Sequence, residues 1–313
     1  MNKDALIYIA GHKGALGHAL WDKLQAAGYT NLLGCELPEL DMTDNAAVKE
    51  FFRKNKPDCV ILLAALAAGI NFRKTNPVEM LLVNLQITIN VLSEARAAGV
   101  QKFINISSAL LYPSEAAIPI RENSATHVNL EELDTSYTLA KSVGAQLCRY
   151  YRKQYAADFY TVVPCNFFGP YSPFEGDKAG VIASLIRKMH EAKLHHDDHI
   201  EVWGTGNACR EFLSVLDVAD ALTFLVGHDV PYDLVNIGRN EEHSIREVAQ
   251  LIKKVVGFEG ELRFDTTKPE GRMHMQLDTE RLFNLGWRPK LTLEQAIQIT
   301  YDWYLQQEGV SAV

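Results

Sequence analysis

A doubly wound α/β fold of the Rossmann type, with a smaller mixed α/β unit toward the C-terminus, is predicted by three observations. Short apolar runs at residues 5–10, 59–63, 103–106 and 158–164 are separated by segments of helical periodicity, the signature of buried parallel strands joined by crossover helices. The first run ends in Gly11-His12-Lys13-Gly14-Ala15-Leu16-Gly17. Strand, glycine-rich turn and helix is the order that sets a dinucleotide pyrophosphate on a helix N-terminus. The pattern then changes after Pro170, where polar loops and short elements take over. The expected division is residues 1–167 with about 213–237 for the dinucleotide, and about 168–212 with 238–313 for the second ligand.

Within the glycine turn, Gly11 permits the tight bend, Gly14 lets phosphate approach the backbone, and Gly17 lets the helix pack on the strand. Lys13, Ala15 and Leu16 complete this cofactor contact. A second strand at 31–35 leads to Glu36, 25 positions after Gly11, near the distance where an acidic side chain accepts ribose hydroxyls. A carboxylate there repels a ribose phosphate, which favours NAD(H) over NADP(H); Lys13 pulls the other way. Asp41 and Met42 are placed against the adenine, and Asp44 caps a helix at 46–54. The strand at 59–63 runs into Ala64-Ala65, whose small side chains let a cofactor lie against the backbone. A helix over 77–98 carries Asn84 among apolar residues, so the amide either fixes a loop or faces the cofactor. The strand at 103–106 delivers Ser107 and Ser108 to the ligand crevice. The strand at 158–164 brings Pro164 to the cofactor and leads into Asn166.

The last part is predicted as a helix at 181–192 carrying Arg187, a strand end and turn at Trp203-Gly204-Thr205-Gly206, a capped helix at 214–224, and a strand at 234–238. Helices at 244–256 and 293–305 follow, with a loop at 268–275 between them. The run His195-His196-Asp197-Asp198-His199 is read as a solvated loop, because it lacks the structured spacing of a metal site.

The composition excludes several classes. A net charge of -8 leaves no basic surplus to neutralise a phosphate backbone. Five dispersed cysteines form no CxxC pair and read as reduced thiols, hence a cytoplasmic protein. No apolar run approaches the ~18 residues of a membrane helix.

Tyr137 and Lys141, within Ser136-Tyr137-Thr138-Leu139-Ala140-Lys141, stand one helical turn apart on one face. A phenol with an ordinary pKa of about 10 is a poor acid or base near neutrality. An ammonium beside it is expected to lower that value.

Together, Gly11-xx-Gly14-xx-Gly17, Ser108, Tyr137-xxx-Lys141 and Asn166-Phe167-Phe168-Gly169-Pro170 resemble the extended short-chain dehydrogenase/reductases that act on nucleotide sugars. Ser107 through Pro113, Val202 through Gly206, Arg210-Glu211-Phe212, Lys268-Pro269-Glu270-Gly271 and Leu285-Gly286-Trp287 resemble the GDP-L-fucose synthases (GDP-4-keto-6-deoxymannose epimerase/reductases) in particular. The resemblance implies that Ser108, or its neighbour Ser107, hydrogen-bonds the sugar oxygen at carbon 4. It makes Tyr137 the proton donor to that oxygen and Lys141 the residue that tunes Tyr137 and holds the nicotinamide ribose. It places Asn166 and Val181 beside the sugar, and Arg187, Trp203, Arg210 and Arg272 on the nucleotide. It also implies a homodimer built on the 77–98 helix and the Tyr137 helix.

The departures bear on the reaction. Epimerisation beside a ketone needs a base on one ring face and an acid on the other. The family's cysteine position reads Leu110 here, or Ala109 if the gap is placed differently, and its histidine position reads Gly180. Lys178 and Cys165 are the available substitutes. The arginines used for NADP are replaced by Cys35, Glu36 and Leu37. Three readings follow: a 4-keto reductase of a GDP-linked 6-deoxy sugar without 3,5-epimerisation, a 4-epimerase that retains NAD, and a non-catalytic dinucleotide binder. A dehydratase is excluded, since Ala109-Leu110 stands where an acid would follow the catalytic hydroxyl.

Overall fold

The computed structural model describes residues 1–67, 70–125, 135–268 and 270–307. Ala68, Gly69, Pro269, and residues 126–134 and 308–313 lie outside them. The chain runs β1 (Ile7–Ala10), α1 (Ala15–Ala26), β2 (Leu32–Leu33), α2 (Asn45–Asn55), β3 (Cys59–Leu62), α3 (Ile70–Thr75), α4 (Pro77–Ala97), β4 (Lys102–Ile106), α5 (Thr135–Tyr155), β5 (Asp158–Pro164) and β6 (Asn166–Phe168). It continues through α6 (Val181–His195), β7 (His199–Trp203), β8 (Cys209–Ser214), α7 (Val215–Gly227), β9 (Leu234–Ile237), β10 (Glu242–Ser244), α8 (Ile245–Val256), β11 (Glu261–Asp265), α9 (Glu280–Asn284) and α10 (Leu293–Gln307).

Six strands form one parallel sheet in the order β2-β1-β3-β4-β5-β9. The order reverses between β1 and β3, and ligands bind at such a switch point, beyond the strand carboxyl ends. All four residues of β1 and of β3 are buried, as their unbroken apolar runs require. One face of the sheet packs α1 and α7 around Leu20, Leu24, Leu222 and Leu225. The other packs α2, α4 and α5 around Phe52, Val91, Leu92 and Phe103. A third cluster joins α6, α8 and α10 through Ile186, Met189, Ile252 and Ile297.

The turn after β1 explains two of its three glycines sterically. Gly11 has φ +94, and a Cβ on it would stand 2.8 Å from the Ala64 nitrogen. On Gly17 a Cβ would stand 2.3 Å from the Gly11 carbonyl oxygen. Neither neighbour can move, because both belong to the β1–α1 and β3 backbones.

Helix signals are satisfied locally. Asp44 accepts from the Ala46 and Ala47 nitrogens, Ser214 accepts from the Leu216 nitrogen, and Ser244 with Glu247 forms a capping box. The second strand is only Leu32–Leu33, shorter than the predicted 31–35, because it is an edge held by β1 alone. Four short strands went unpredicted. β6, β8 and β10 make a three-stranded sheet, and β11 pairs with β7. Each has at most six residues, too few for alternation to stand out from loop composition. Among the described residues no helix is long and apolar enough to cross a membrane.

Candidate active site

One cavity of about 1380 Å³ runs across the sheet's carboxyl edge. That exceeds the roughly 300–1,000 Å³ of a pocket for one small ligand and leaves room for two. Gly11, Gly14, Ala15, Leu16 and Gly17 line its first end, where α1 begins. A Cβ on Gly14 would meet only the Gly11 oxygen, at 3.5 Å. Packing therefore does not require glycine at 14. The space it leaves opens on the cavity at a helix N-terminus, which fits a phosphate. Asp41, Met42, Ala64, Ala65 and Pro164 also line the wall. The Asp41 carboxylate accepts from the Thr43 nitrogen at 2.8 Å and its hydroxyl at 2.7 Å, which holds its pKa below the usual range. Asn90 secures the same loop through the Met42 and Thr43 carbonyls, both at 3.0 Å.

Three expected cofactor contacts are placed otherwise. Asn84 is buried, and its amide is spent on the backbone. Its oxygen accepts from the Leu66 nitrogen at 2.9 Å, and its nitrogen donates to the Met80 and Leu66 carbonyls. It fixes the loop after β3 and does not line the cavity. Lys13 and Glu36 also lie off the wall and pair with each other at 3.4 Å, both more than half exposed. Cys35 and Leu37 line that end instead.

The middle of the cavity brings together Ser107, Ser108, Tyr137 and Lys141. Ser108 ends β4's extension and caps a 3₁₀ turn at Ala109–Leu111. Its oxygen accepts from the Leu110 nitrogen at 3.3 Å, and its own proton stays available to donate. Ser107 is buried, and its hydroxyl has no hydrogen-bond partner among the described residues. Lys141 is 8% exposed and donates to the Ile106 carbonyl at 2.9 Å. Burial drives its pKa down to about 8. The expected lowering of Tyr137 by Lys141 is not found. Burial raises the phenol, and among the described residues the charge of Arg73 opposes it. Lys141 lies 5.7 Å from the Tyr137 ring centroid, but with its own pKa brought down to about 8 it is uncharged by the pH at which the phenol ionises.

The far end is lined by Asn166, Val181, Trp203, Arg210 and Arg272. Arg272 donates to the Tyr112 carbonyl at 2.9 Å, which ties this end to the segment after Ser108. Arg210 donates to the Cys209 carbonyl at 2.6 Å, and burial lowers its pKa. Trp203 is 58% exposed, with the Lys188 and Lys268 nitrogens 6.0 and 5.8 Å from its ring. Glu270 pins the Gly204–Gly206 turn by accepting from the Thr205, Asn207 and Ala208 nitrogens. Arg187 does not reach the cavity wall; its guanidinium is engaged by Glu191 at 2.8 Å, with Glu175 at 3.8 Å.

Leu110 and Gly180 both line the cavity. A Cβ on Gly180 would meet nothing within 4 Å, so packing does not dictate that glycine. Of the two substitute acids, Cys165 lines the wall but burial pushes its thiol well up, and Lys178 is not on the wall. His199 pairs with Asp198, and no group of three or more possible metal ligands gathers among the described residues. Sequence reasoning missed Arg73, which lines the cavity from α3. That helix has six residues and no periodic signal could have announced it.

A parallel sheet with its switch point at a glycine turn, and a serine, tyrosine and lysine at mid-cavity, defines a dinucleotide-dependent oxidoreductase class. Residues 7–238 match the NAD dependent epimerase/dehydratase family, and the chain belongs to that family. It is 42% identical over 305 residues to GDP-L-fucose synthase 1 of Arabidopsis thaliana, covering 97% of this chain and 94% of the relative. A Campylobacter jejuni GDP-6-OMe-4-keto-L-xylo-heptose reductase superposes with a TM-score of 0.91 at 33% identity, covering 98% of this chain and 99% of the other. The GDP-mannoheptose C4 reductase of the same organism, with NADP bound, gives 0.88 at 34% identity, covering 97% and 99%.

Proposed function

We propose that the protein reduces the carbon-4 ketone of a GDP-linked sugar without epimerising its neighbours. The observation that carries this is a mid-cavity Ser108, Tyr137 and Lys141 set whose flanking wall, at Leu110 and Gly180, holds no side chain able to move a proton. The relatives named above, which include a GDP-sugar C4 reductase, support the substrate class. A nicotinamide dinucleotide held at Gly11–Gly17 supplies the hydride. Ser108 donates a hydrogen bond to the ketone oxygen, and Tyr137 gives it a proton. Asn166, Arg210 and Arg272 orient the nucleotide sugar. We further propose two working units, with the division expected from the sequence.

The sequence favours NAD(H) slightly, through Glu36; we propose NADPH as the reductant instead. Glu36 repels a ribose phosphate, but Lys13 pairs with it at 3.4 Å and offsets that charge. A solved relative also carries NADP. Incubation with GDP-4-keto-6-deoxymannose and NADPH in deuterated water is expected to give a reduced product with no deuterium at carbon 3 or 5. Label at either carbon would overturn the assignment, and a higher kcat/KM with NADH would overturn the choice of reductant. Glu36 favours the second reading, a 4-epimerase retaining NAD. Purified protein that carries NAD and interconverts two GDP-sugars without added reductant would establish it.

A homodimer is proposed through α4. Val78, Leu82 and Ile89 are 60%, 51% and 46% exposed and follow one helical stripe. Sedimentation is expected to give a dimer that Leu82→Glu dissociates. A wild-type monomer at micromolar concentration would rule it out.

A further inference from the structure

The loop from Gly169 to Gly180 joins β6 to α6, and both of its ends sit at the far end of the cavity. Asn166, Phe167 and Phe168 line the wall before it, and Gly180, Val181 and Ile182 line the wall after it. Its middle is fastened to α1, the helix at the opposite end. The Tyr171 ring stacks on His18 of α1, with centroids 5.0 Å apart and planes inclined by 14°. One turn further along α1, the Asp22 carboxylate accepts from the Tyr171 hydroxyl at 3.1 Å. His18 itself stands one turn from Gly14. Its backbone nitrogen and its Nδ1 both donate to the Gly14 carbonyl, at 2.9 and 3.2 Å. We propose that Tyr171 is a positioning residue that clasps this loop to α1, so that a dinucleotide seated at Gly14 sets the far end of the cavity for the nucleotide sugar. The inference rests on the two ligand ends assigned in the reductase reading.

The backbone at Tyr171 is strained. Its φ is +67, in the left-handed region that a bulky residue enters at a cost. Glycine would hold the same backbone freely. The contacts of the ring and hydroxyl offset that strain. On its other side the loop leans on α10, where the Tyr171 and Phe174 rings lie 5.7 and 5.9 Å from Trp303 and Phe174 lies 4.7 Å from Tyr304. If the loop moves away from α1, the His18 stack and the Asp22 hydrogen bond are lost together. Seating a phosphate at the start of α1 fixes its first turn, and with it His18. A fixed His18 holds Tyr171 and, through the loop, the start of α6 at Gly180, which has no side-chain cap. Coupling of this kind runs through contiguous packed groups, and it is reciprocal: each ligand tightens the other by the same factor.

The test compares wild type, Tyr171→Gly, which removes the clasp and relieves the backbone, and Tyr171→Phe, which keeps the stack and loses the Asp22 hydrogen bond. Calorimetry with NADPH and GDP, singly and together, reads the coupling. In wild type, saturating NADPH is expected to lower the Kd for GDP about tenfold. In Tyr171→Gly each ligand alone is expected to bind within about twofold of wild type, while the effect of NADPH on GDP falls below about threefold. Tyr171→Phe is expected to lie between. Hydrogen exchange gives a second readout. NADPH is expected to slow exchange over residues 15–26 and 169–180 in wild type, and over 15–26 alone in Tyr171→Gly. A merely structural tyrosine would weaken both ligands and keep the coupling ratio, which would overturn the proposal. So would residues 169–180 slowed equally in both proteins, or unaffected by NADPH in wild type. The exchange measurement needs no sugar. Absence of turnover by wild type would therefore sink the reductase reading alone and leave the clasp decided by exchange.

Discussion

Lys141→Met is expected to raise thermal stability at pH 7 while lowering reductase activity about 100-fold or more. The ammonium is buried, and its folded pKa is about 8 against an ordinary 10.5. Between those values the unfolded chain holds the proton more tightly than the folded protein. Wild-type stability therefore rises from pH 8 to 10.5 and is lowest below pH 8. The shift corresponds to about 3 kcal/mol at about 1.4 kcal/mol per unit. Methionine also leaves the Ile106 carbonyl without its donor, which returns about 1 kcal/mol. A net gain of about 2 kcal/mol remains at pH 7 and vanishes by pH 10. The check is melting temperature against pH for both proteins. A variant that melts lower at pH 7, or whose advantage does not shrink with pH, would show that the buried charge costs nothing. Such a cost is the ordinary consequence of keeping a cation where the reaction uses it.

The second large effect belongs to Glu211, which is fully buried. One carboxylate oxygen accepts from the Arg239 and Asn240 nitrogens at 2.5 and 2.6 Å, and the other accepts from the Leu277 nitrogen at 2.9 Å. It joins β8 to the loop after β9 and to the segment before α9, behind Arg210. Gly238 is part of this fit, since a Cβ there would meet Glu211 at 2.4 Å. Glu211→Ala orphans three N–H groups and is expected to cost about 4 kcal/mol; Glu211→Gln opposes one donor to another and is expected to cost about 2 kcal/mol. Burial also raises the Glu211 carboxyl to about 6 from 4.5. The folded state holds that proton more tightly, so this group's contribution is full below pH 4.5 and lost as pH rises through 6. Urea denaturation at pH 5 and pH 7 tests both points. Equal stability of Glu211→Ala and wild type at both values would refute them.

Residues whose role follows from local backbone geometry or strict spacing were legible. Gly11 and Gly17 announce a strand-turn-helix, and the steric clash of any Cβ explains them. Asp44, Ser214 and Ser244 announce helix starts because a cap needs only its own next three residues. Tyr137 and Lys141 announce a shared helix face. Their electrostatics were not legible, because burial and orientation come from α3, β4 and α4, which lie distant in the chain. Arg187 reads like a ligand-binding arginine, yet Glu191 on its own helix engages it. Asn84 reads equally well as cofactor contact or loop anchor, and only the position of Leu66 chooses. Arg73 carries no pattern at all.

The sequence by itself determined the parallel sheet, the dinucleotide turn, and the identity of the serine, tyrosine and lysine at mid-cavity. Each rests on periodicity, capping or fixed spacing, which are short-range properties of the chain. Only the tertiary structure decided which charges reach the cavity. It turned Lys141 toward a carbonyl, set Lys13 against Glu36, withdrew Arg187 and brought in Arg73. Desolvation and Coulomb interactions depend on distances between segments far apart in sequence, and folding alone sets those distances.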